Sequence, residues 1–405
     1  MPCKDTGVES MGLYVERGDL VTEKGVLRGT SLRSKDGVIT ELGGSPRPGD
    51  QVLEAEGLLV FPGFIDLHVH GGDGADVTDD SQEAIARVCR FHAAHGTTSL
   101  LPTTRTLGLP ELKEALRRLA RYSEAPDPAG AAMLGIHMEG PYLNEHYKGA
   151  QRADLLRTPS LHELEELIEA AGLAPLRLVT LAPELPGAAP LVEYLAARGI
   201  IVSAGHSGAS YEQMLQAADC GVRHVTHGFN GLPGLHHREP GLLGAVLLDE
   251  RITVEVILDL HHVHPAAVQL LLRTKSTRGV ALITDAMRAA GLPDGTYASA
   301  GGRSVEVRQG IVRLPSGVLA GSTLTMNRAV KHAVEAMGLT LPEAAEAAAL
   351  TPARILGEAQ RKGSIALGKD ADLAIVEPST YQVQATVVRG RIIQRGRFIH
   401  DEAPS

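Results

Sequence analysis

Residues 61–70 read FPGFIDLHVH, an apolar run that stops on ionisable side chains. Further runs of the same kind follow: TTSLLPTT at 97–104, AMLGIHMEGP at 132–141, LRLVTLAPE at 176–184, IIVSAGHS at 200–207, HVTHGFN at 224–230, TVEVILDLHH at 253–262 and ALITDAM at 281–287. Between them lie amphipathic stretches such as SQEAIARVCRFHAAH, PELKEALRRLARYSE and SLHELEELIEAAG. Short apolar runs alternating with segments of helical period specify parallel βα units. Eight such runs over about 230 residues make an α/β fold of the (β/α)8 TIM-barrel type. A doubly wound open sheet is the rival arrangement of the same alternation.

Both ends of the chain read differently. GLYVERGDLVT, GVLRGTSLRSKDGVITEL and QVLEAEGLLV precede the first run, and GSIALGKDADLAIVE and QATVVRGRIIQRGRFI follow the last helical stretch. Alternating aliphatic residues with glycine-rich breaks indicate short strands. The expectation is one small β-sandwich domain built from residues 1–60 and 361–405, with the barrel of residues 61–360 inserted between its halves.

Composition narrows the function. A net charge of −9 with scattered Lys and Arg opposes a nucleic-acid groove, which needs a continuous basic surface. No apolar run reaches the roughly 18 residues that span a bilayer. The N-terminal MPCKDTGVESMG lacks a basic segment followed by an apolar one, so no signal peptide is read and a cytoplasmic location is expected. Cys3, Cys89 and Cys220 are too scattered for a disulfide framework or a CxxC metal site. The 17 histidines are the unusual count.

Parallel strands covered on both faces are near-continuously apolar, so an ionisable residue at a strand end points to chemistry. In barrel enzymes those C-terminal ends carry the active site. His68 and His70 close the first run; residues two apart on a strand point the same way, so both can reach one metal, although a solvated pair fits the spacing too. Glu139 follows the third run, where a carboxylate needs a cation or donors to offset its desolvation or else caps the next helix. His206 and His227 end the fifth and sixth runs. With Glu139 they form a three-ligand set that leaves a position open for water, the make-up of a catalytic metal site. Asp285 ends the eighth run as a metal ligand, a proton acceptor or a helix cap. His92, His95 and His224 read as helix or loop residues, and His236 and His237 as solvated.

The stretches HMEGPYLN, LAPE, VSAGHS, THGFNGLP with REPGLLGA, ITDAM and LAGSTLTM give the chain a resemblance to the amidohydrolase superfamily. Within it, the sequence is similar to the N-acetylglucosamine-6-phosphate deacetylase family over nearly its whole length. Many members of the superfamily bridge two metals with a modified lysine; here Glu139 holds that position. The resemblance implies that Glu139, His206 and His227 bind the main divalent metal, and that His68 and His70, with Glu139 shared and Asp285 nearby, hold a second. Zinc comes first, with iron, manganese or cobalt also compatible with such donors. Asn230 and Gly231 match the family's substrate-binding pair, and Arg238 its phosphate contact. His262 matches a further contact in Asp259-Leu-His-His-Val, with His261 as the alternative. Ala150, Gln151, Leu319, Ala320 and Gly321 match other substrate contacts. The implied activity is hydrolysis of the acetamide of N-acetyl-D-glucosamine 6-phosphate with Asp285 as proton carrier, in a homodimer. The N-acetylgalactosamine 6-phosphate deacetylase, an amidohydrolase for another N-acyl or cyclic amide, and a non-catalytic binding barrel are the alternatives.

Overall fold

The computed structural model describes residues 12–395 except 173 and 299–301. Cys3, the N-terminal segment read for a signal peptide and the end of the C-terminal strand pattern lie outside the described residues.

The eight runs form eight parallel strands: β1 (Phe64–Val69), β2 (Thr97–Thr104), β3 (Ile136–Glu139), β4 (Leu176–Leu181), β5 (Ile201–Ala204), β6 (Val222–Val225), β7 (Thr253–Ile257) and β8 (Val280–Ile283). Each pairs with its neighbour in chain order. The ring closes where Val69 bridges Ala286 in parallel and the His70 N–H donates to the Ala286 carbonyl at 2.9 Å. Every residue of β1 and β2 is buried, as expected of strands enclosed between a barrel interior and a ring of helices. That ring includes α1 (Gln82–Ala93), α2 (Leu109–Glu124), α3 (Leu161–Ala171), α4 (Ala188–Ala197), α5 (Tyr211–Cys220), α6 (Gly241–Leu248), α7 (Pro265–Gly279) and α8 (Met326–Glu335). Ser81, Ser160 and Ser210 begin three of these helices by accepting a hydrogen bond from a first-turn amide, which satisfies donors that have no partner inside the helix.

The two ends of the chain meet in one eight-stranded sheet. Leu59–Pro62 pairs antiparallel with Leu373–Val376, Val60 opposite Ile375, and so joins the N-terminal strands to the C-terminal ones. The sheet folds back on itself: Val38, on its far edge, bridges Asp370 just before the C-terminal strands begin. Leu13, Val15, Leu32, Ile39, Ile375 and Val387 thereby share one apolar cluster, separate from the barrel core.

The sequence reading had no element between β8 and α8. Here the chain inserts a three-stranded antiparallel sheet, Gly295–Ala298, Ser304–Arg308 and Ile311–Arg313. Its strands are short and one-sided, with Val305, Val307 and Val312 packed on Met287 and Ala289 and charged residues outward. After it, Ser322 returns to the end of β8, its N–H donating to the Asp285 carbonyl at 2.8 Å.

Candidate active site

The strand ends deliver their ionisable side chains to one place. Asp66 and His68 on β1, and His70 just after it, alternate onto the inner face. Asp66 is buried and pushed up to about 7 by desolvation, against hydrogen bonds from Thr284 and His68 that favour its charge. The Thr284 hydroxyl donates to Asp66 at 2.6 Å and ties β1 to the end of β8. His206, His227 and Asp285 have φ values of 48°, 32° and 48°. Non-glycine residues rarely adopt such left-handed backbone, and where they do it concentrates at functional sites. The strain turns each side chain inward as the strand ends.

Two groups of donors result. In the first, Glu139 Oε1 lies 3.1 Å from His206 Nε2 and 3.2 Å from His227 Nε2, and these two nitrogens are 3.1 Å apart. In the second, His68 Nε2 and His70 Nε2 are 3.1 Å apart, with Asp285 Oδ1 3.5 and 3.3 Å from them. Glu139 serves both: its Oε2 is 3.5 Å from His70 Nε2. Either set could hold a metal ion.

The hydrogen bonds on the far sides of the rings test that fit. His206 Nδ1–H donates to the Tyr147 carbonyl at 2.9 Å, His70 Nδ1–H to the Thr103 carbonyl at 3.0 Å, and His68 Nδ1–H to Glu255 Oε2 at 3.1 Å. Each Nε2 is therefore left with a lone pair aimed at its neighbours. Lone pairs 3 Å apart repel unless a proton or a cation lies between them, and outer acceptors of this kind are how metal-binding histidines are oriented. Without a cation, protons take the role. Burial opposes charge on His227, but Glu139 raises it to about 9. Burial likewise disfavours ionised Glu139, yet His206 and His227 hold its carboxyl well below the usual range.

A cavity of about 280 Å³ opens above these groups, at the small end for a ligand site. His70, Glu139, His206, His227 and Asp285 form its floor, while His68 lies behind them, fully buried. Ala150, Gln151, Asn230, Gly231, His262, Leu319, Ala320 and Gly321 line its walls. His262 faces the cavity and its Nδ1 is 2.6 Å from Asp259 Oδ2, whereas the neighbouring His261 is exposed and does not line it. Gly231 has φ +60°, and a Cβ there would stand 2.8 Å from His206 Nδ1, so this close approach requires glycine. The Gln151 carboxamide is fixed at both ends, accepting from Thr106 N at 3.0 Å and donating to Glu139 Oε2 at 2.6 Å.

Arg238 is not brought to this cavity. It is exposed on the loop after Gly231, its guanidinium 3.0 Å from His237 Nε2. The cavity wall instead includes Arg105, Arg152 and Arg303, none of them singled out by sequence. Arg303 immediately precedes the second strand of the inserted sheet and donates to the Ala150 carbonyl. His224 is neither helical nor in a loop: it lies on β6, buried, its Nε2 3.2 Å from Glu255 Oε1. Glu255 and His137 were also missed. His137 donates from Nδ1 to the Leu67 carbonyl at 3.1 Å and accepts from Thr180 at 2.8 Å, and burial pushes it down to about 3, so it stays neutral. For Glu255 the signal was present: a carboxylate in the middle of the apolar TVEVI.

The profile of the Amidohydrolase family matches residues 59–393. The chain belongs to that family. It is 42% identical to the N-acetylgalactosamine-6-phosphate deacetylase of Escherichia coli O157:H7, covering 92% of this chain and 97% of the relative. It is 41% identical to the N-acetylglucosamine-6-phosphate deacetylase of Vibrio furnissii, covering 82% of each. Among solved structures, an Asp-to-Ala variant of the Mycobacterium smegmatis N-acetyl-D-glucosamine-6-phosphate deacetylase, in complex with N-acetyl-D-glucosamine-6-phosphate, superposes with a TM-score of 0.87 at 32% identity over 95% of this chain and 100% of that one. The fold of this amidohydrolase is therefore that of the deacetylases as well as of the wider family. No helix among the described residues is long and apolar enough to cross a membrane.

Proposed function

We propose that this amidohydrolase removes the acetyl group of an N-acetylhexosamine 6-phosphate, N-acetyl-D-glucosamine 6-phosphate in the first place, releasing acetate and the 6-phosphorylated amino sugar. The observation that carries the reading is the meeting of Glu139 with His206 and His227 at 3.1 and 3.2 Å on the floor of a cavity that also presents Asp285. Glu139, His206 and His227 would hold a divalent cation, zinc before iron, manganese or cobalt, which when bound would supply Lewis-acid chemistry for the acetyl carbonyl and for water.

The chain's own residues do the rest. Burial works against charge on Asp285, but His68 and His70 keep its carboxyl below the usual range, so it is an ionised base at neutral pH. Asp285 takes a proton from the attacking water and returns it to the sugar nitrogen as the C–N bond breaks. Asn230, Gly231, Ala150 and the Leu319–Gly321 segment hold the sugar, with His262 beside them. Gln151 steadies the Glu139 carboxylate, and Arg238 is assigned the phosphate by resemblance to the family. His68, His70 and Asp285, with Glu139 shared, offer a second cation position. A homodimer belongs to the same reading, on resemblance alone.

The 42% identity to a galactosamine-type deacetylase favours N-acetyl-D-galactosamine 6-phosphate as the second substrate. The test is Asp285→Asn assayed on N-acetyl sugars with and without the 6-phosphate. Turnover is expected to fall by about 10²–10⁴-fold with the cation at Glu139, His206 and His227 retained. Turnover near that of the unsubstituted enzyme would overturn the role of Asp285, and equal rates on unphosphorylated sugars would overturn the substrate.

A further inference from the structure

A carboxylate in the middle of a buried strand has to be held there by something. Glu255 is fully buried at the third position of β7. Desolvation opposes its charge, yet His224 and His68 hold its carboxyl well below the usual range. Three N–H groups converge on it. Oε2 accepts from His68 Nδ1 at 3.1 Å and from the backbone N–H of His227 at 3.1 Å. Oε1 lies 3.2 Å from His224 Nε2, whose Nδ1 is 2.6 Å from the Thr253 hydroxyl. An ionised carboxylate is all acceptor and can receive three donors without conflict, whereas an amide must turn an NH₂ toward one of them.

We infer that Glu255 is a positioning residue: it locks His68 in the tautomer that carries its proton on Nδ1, so that Nε2 is aimed at the position between His70, Glu139 and Asp285. The geometry beyond the ring agrees, with His68 Nε2 3.1 Å from His70 Nε2, 3.5 Å from Asp285 Oδ1 and 3.7 Å from Glu139 Oε1. Glu255 touches neither substrate nor cation. It acts through His68, and its bond to the His227 amide helps to retain the left-handed backbone of that residue, φ 32°. The inference rests on the proposal of a second cation position.

Metal-free enzyme and its Glu255→Gln variant, titrated with Zn²⁺ and read by bound metal per chain, provide the first test. The second equivalent should bind the variant about 10–100-fold more weakly, the usual effect of losing an outer hydrogen-bond partner, with the first equivalent affected less. Equal weakening of both, together with a lowered unfolding midpoint of the metal-free protein, would mark a packing defect and overturn the assignment, as would no weakening at all. A single equivalent bound by the unsubstituted enzyme would overturn the second cation position itself. The Glu255 assignment is then decided by ¹⁵N-histidine NMR of the metal-free enzyme, with His68 identified by loss of its signal in His68→Gln. The Nδ1–H tautomer is expected, and the Nε2–H tautomer would sink the inference.

Discussion

The Nε2 atoms of His68 and His70 face each other across 3.1 Å, and each ring has committed its other nitrogen to an acceptor outside the pair. Replacing His70 by Asn removes one donor from this position and keeps Glu139, His206 and His227 as the first set. The second cation should be lost, its affinity falling by more than the roughly 100-fold upper range for an outer-partner change, while the first stays. Metal analysis after dialysis checks this; two retained equivalents would refute it.

Arg238 gives a second prediction because the structure leaves it outside the cavity wall. With Arg238 as the phosphate contact, Arg238→Ala should raise KM for the phosphorylated sugar by about 10–100-fold, the worth of a charge-assisted hydrogen bond of about 1.5–3 kcal/mol. The kcat should hardly move, since the phosphate is bound alike in ground and transition states. An unchanged KM, with a large rise instead in Arg303→Ala, would transfer the phosphate to the cationic cavity wall.

Cation uptake should depend on pH with a definite sign. In the metal-free protein burial disfavours a charged His70, but Asp285 and Glu139 raise it to about 9, and Glu139 does the same for His227. Both imidazoles hold protons at pH 7, and these must leave before Nε2 can ligate. Affinity is therefore expected to climb with pH up to about 9 and to level off above. Calorimetry in buffers of different ionisation enthalpy should detect proton release at pH 7; a buffer-independent heat would contradict the protonation pattern.

Lys362 concerns stability rather than catalysis. Its side chain is 1% exposed, and its ammonium is bonded to Asp372 and 3.2 Å from Asp370. Lys362→Ala leaves the buried Asp372 without its cation, while Asp370 keeps Arg361 at 2.9 Å; breaking a buried pair on one side typically costs about 3–5 kcal/mol. A clear drop in the urea midpoint is expected with the metal content of the folded enzyme unaltered. A midpoint within error of the parent would mean that water replaces the ammonium at no cost.

The barrel was legible because its strands are buried on both faces, so that each became a continuous apolar run ending in a polar residue. The ionisable floor was legible for the same reason: Glu139, His206, His227 and Asp285 interrupt or close runs that packing alone would keep apolar. The inserted three-stranded sheet was not, because SVEVR and IVR bury one side only over three to five residues and carry no sustained pattern. Arg105 and Arg303 escaped notice because charged residues in connecting segments are ordinary surface chemistry until the fold turns them toward a cavity. Glu255 was overlooked, and His224 misread as a helix or loop residue, for a subtler cause. Each sits inside a strand and is excused by a partner that only the closed barrel supplies.

The pairing of Leu59–Pro62 with Leu373–Val376 sets a timetable for biosynthesis. Val60 and Ile375 are register partners, yet a ribosome adding about 5–20 residues per second needs some tens of seconds to deliver the second after the first. Through that interval the N-terminal strands present an unmated hydrogen-bonding border, the kind of surface that recruits neighbouring nascent chains. The last strands to emerge are the ones that seal it, so slowed or prematurely stopped translation should raise aggregation far more than a comparable lesion in an exposed barrel helix.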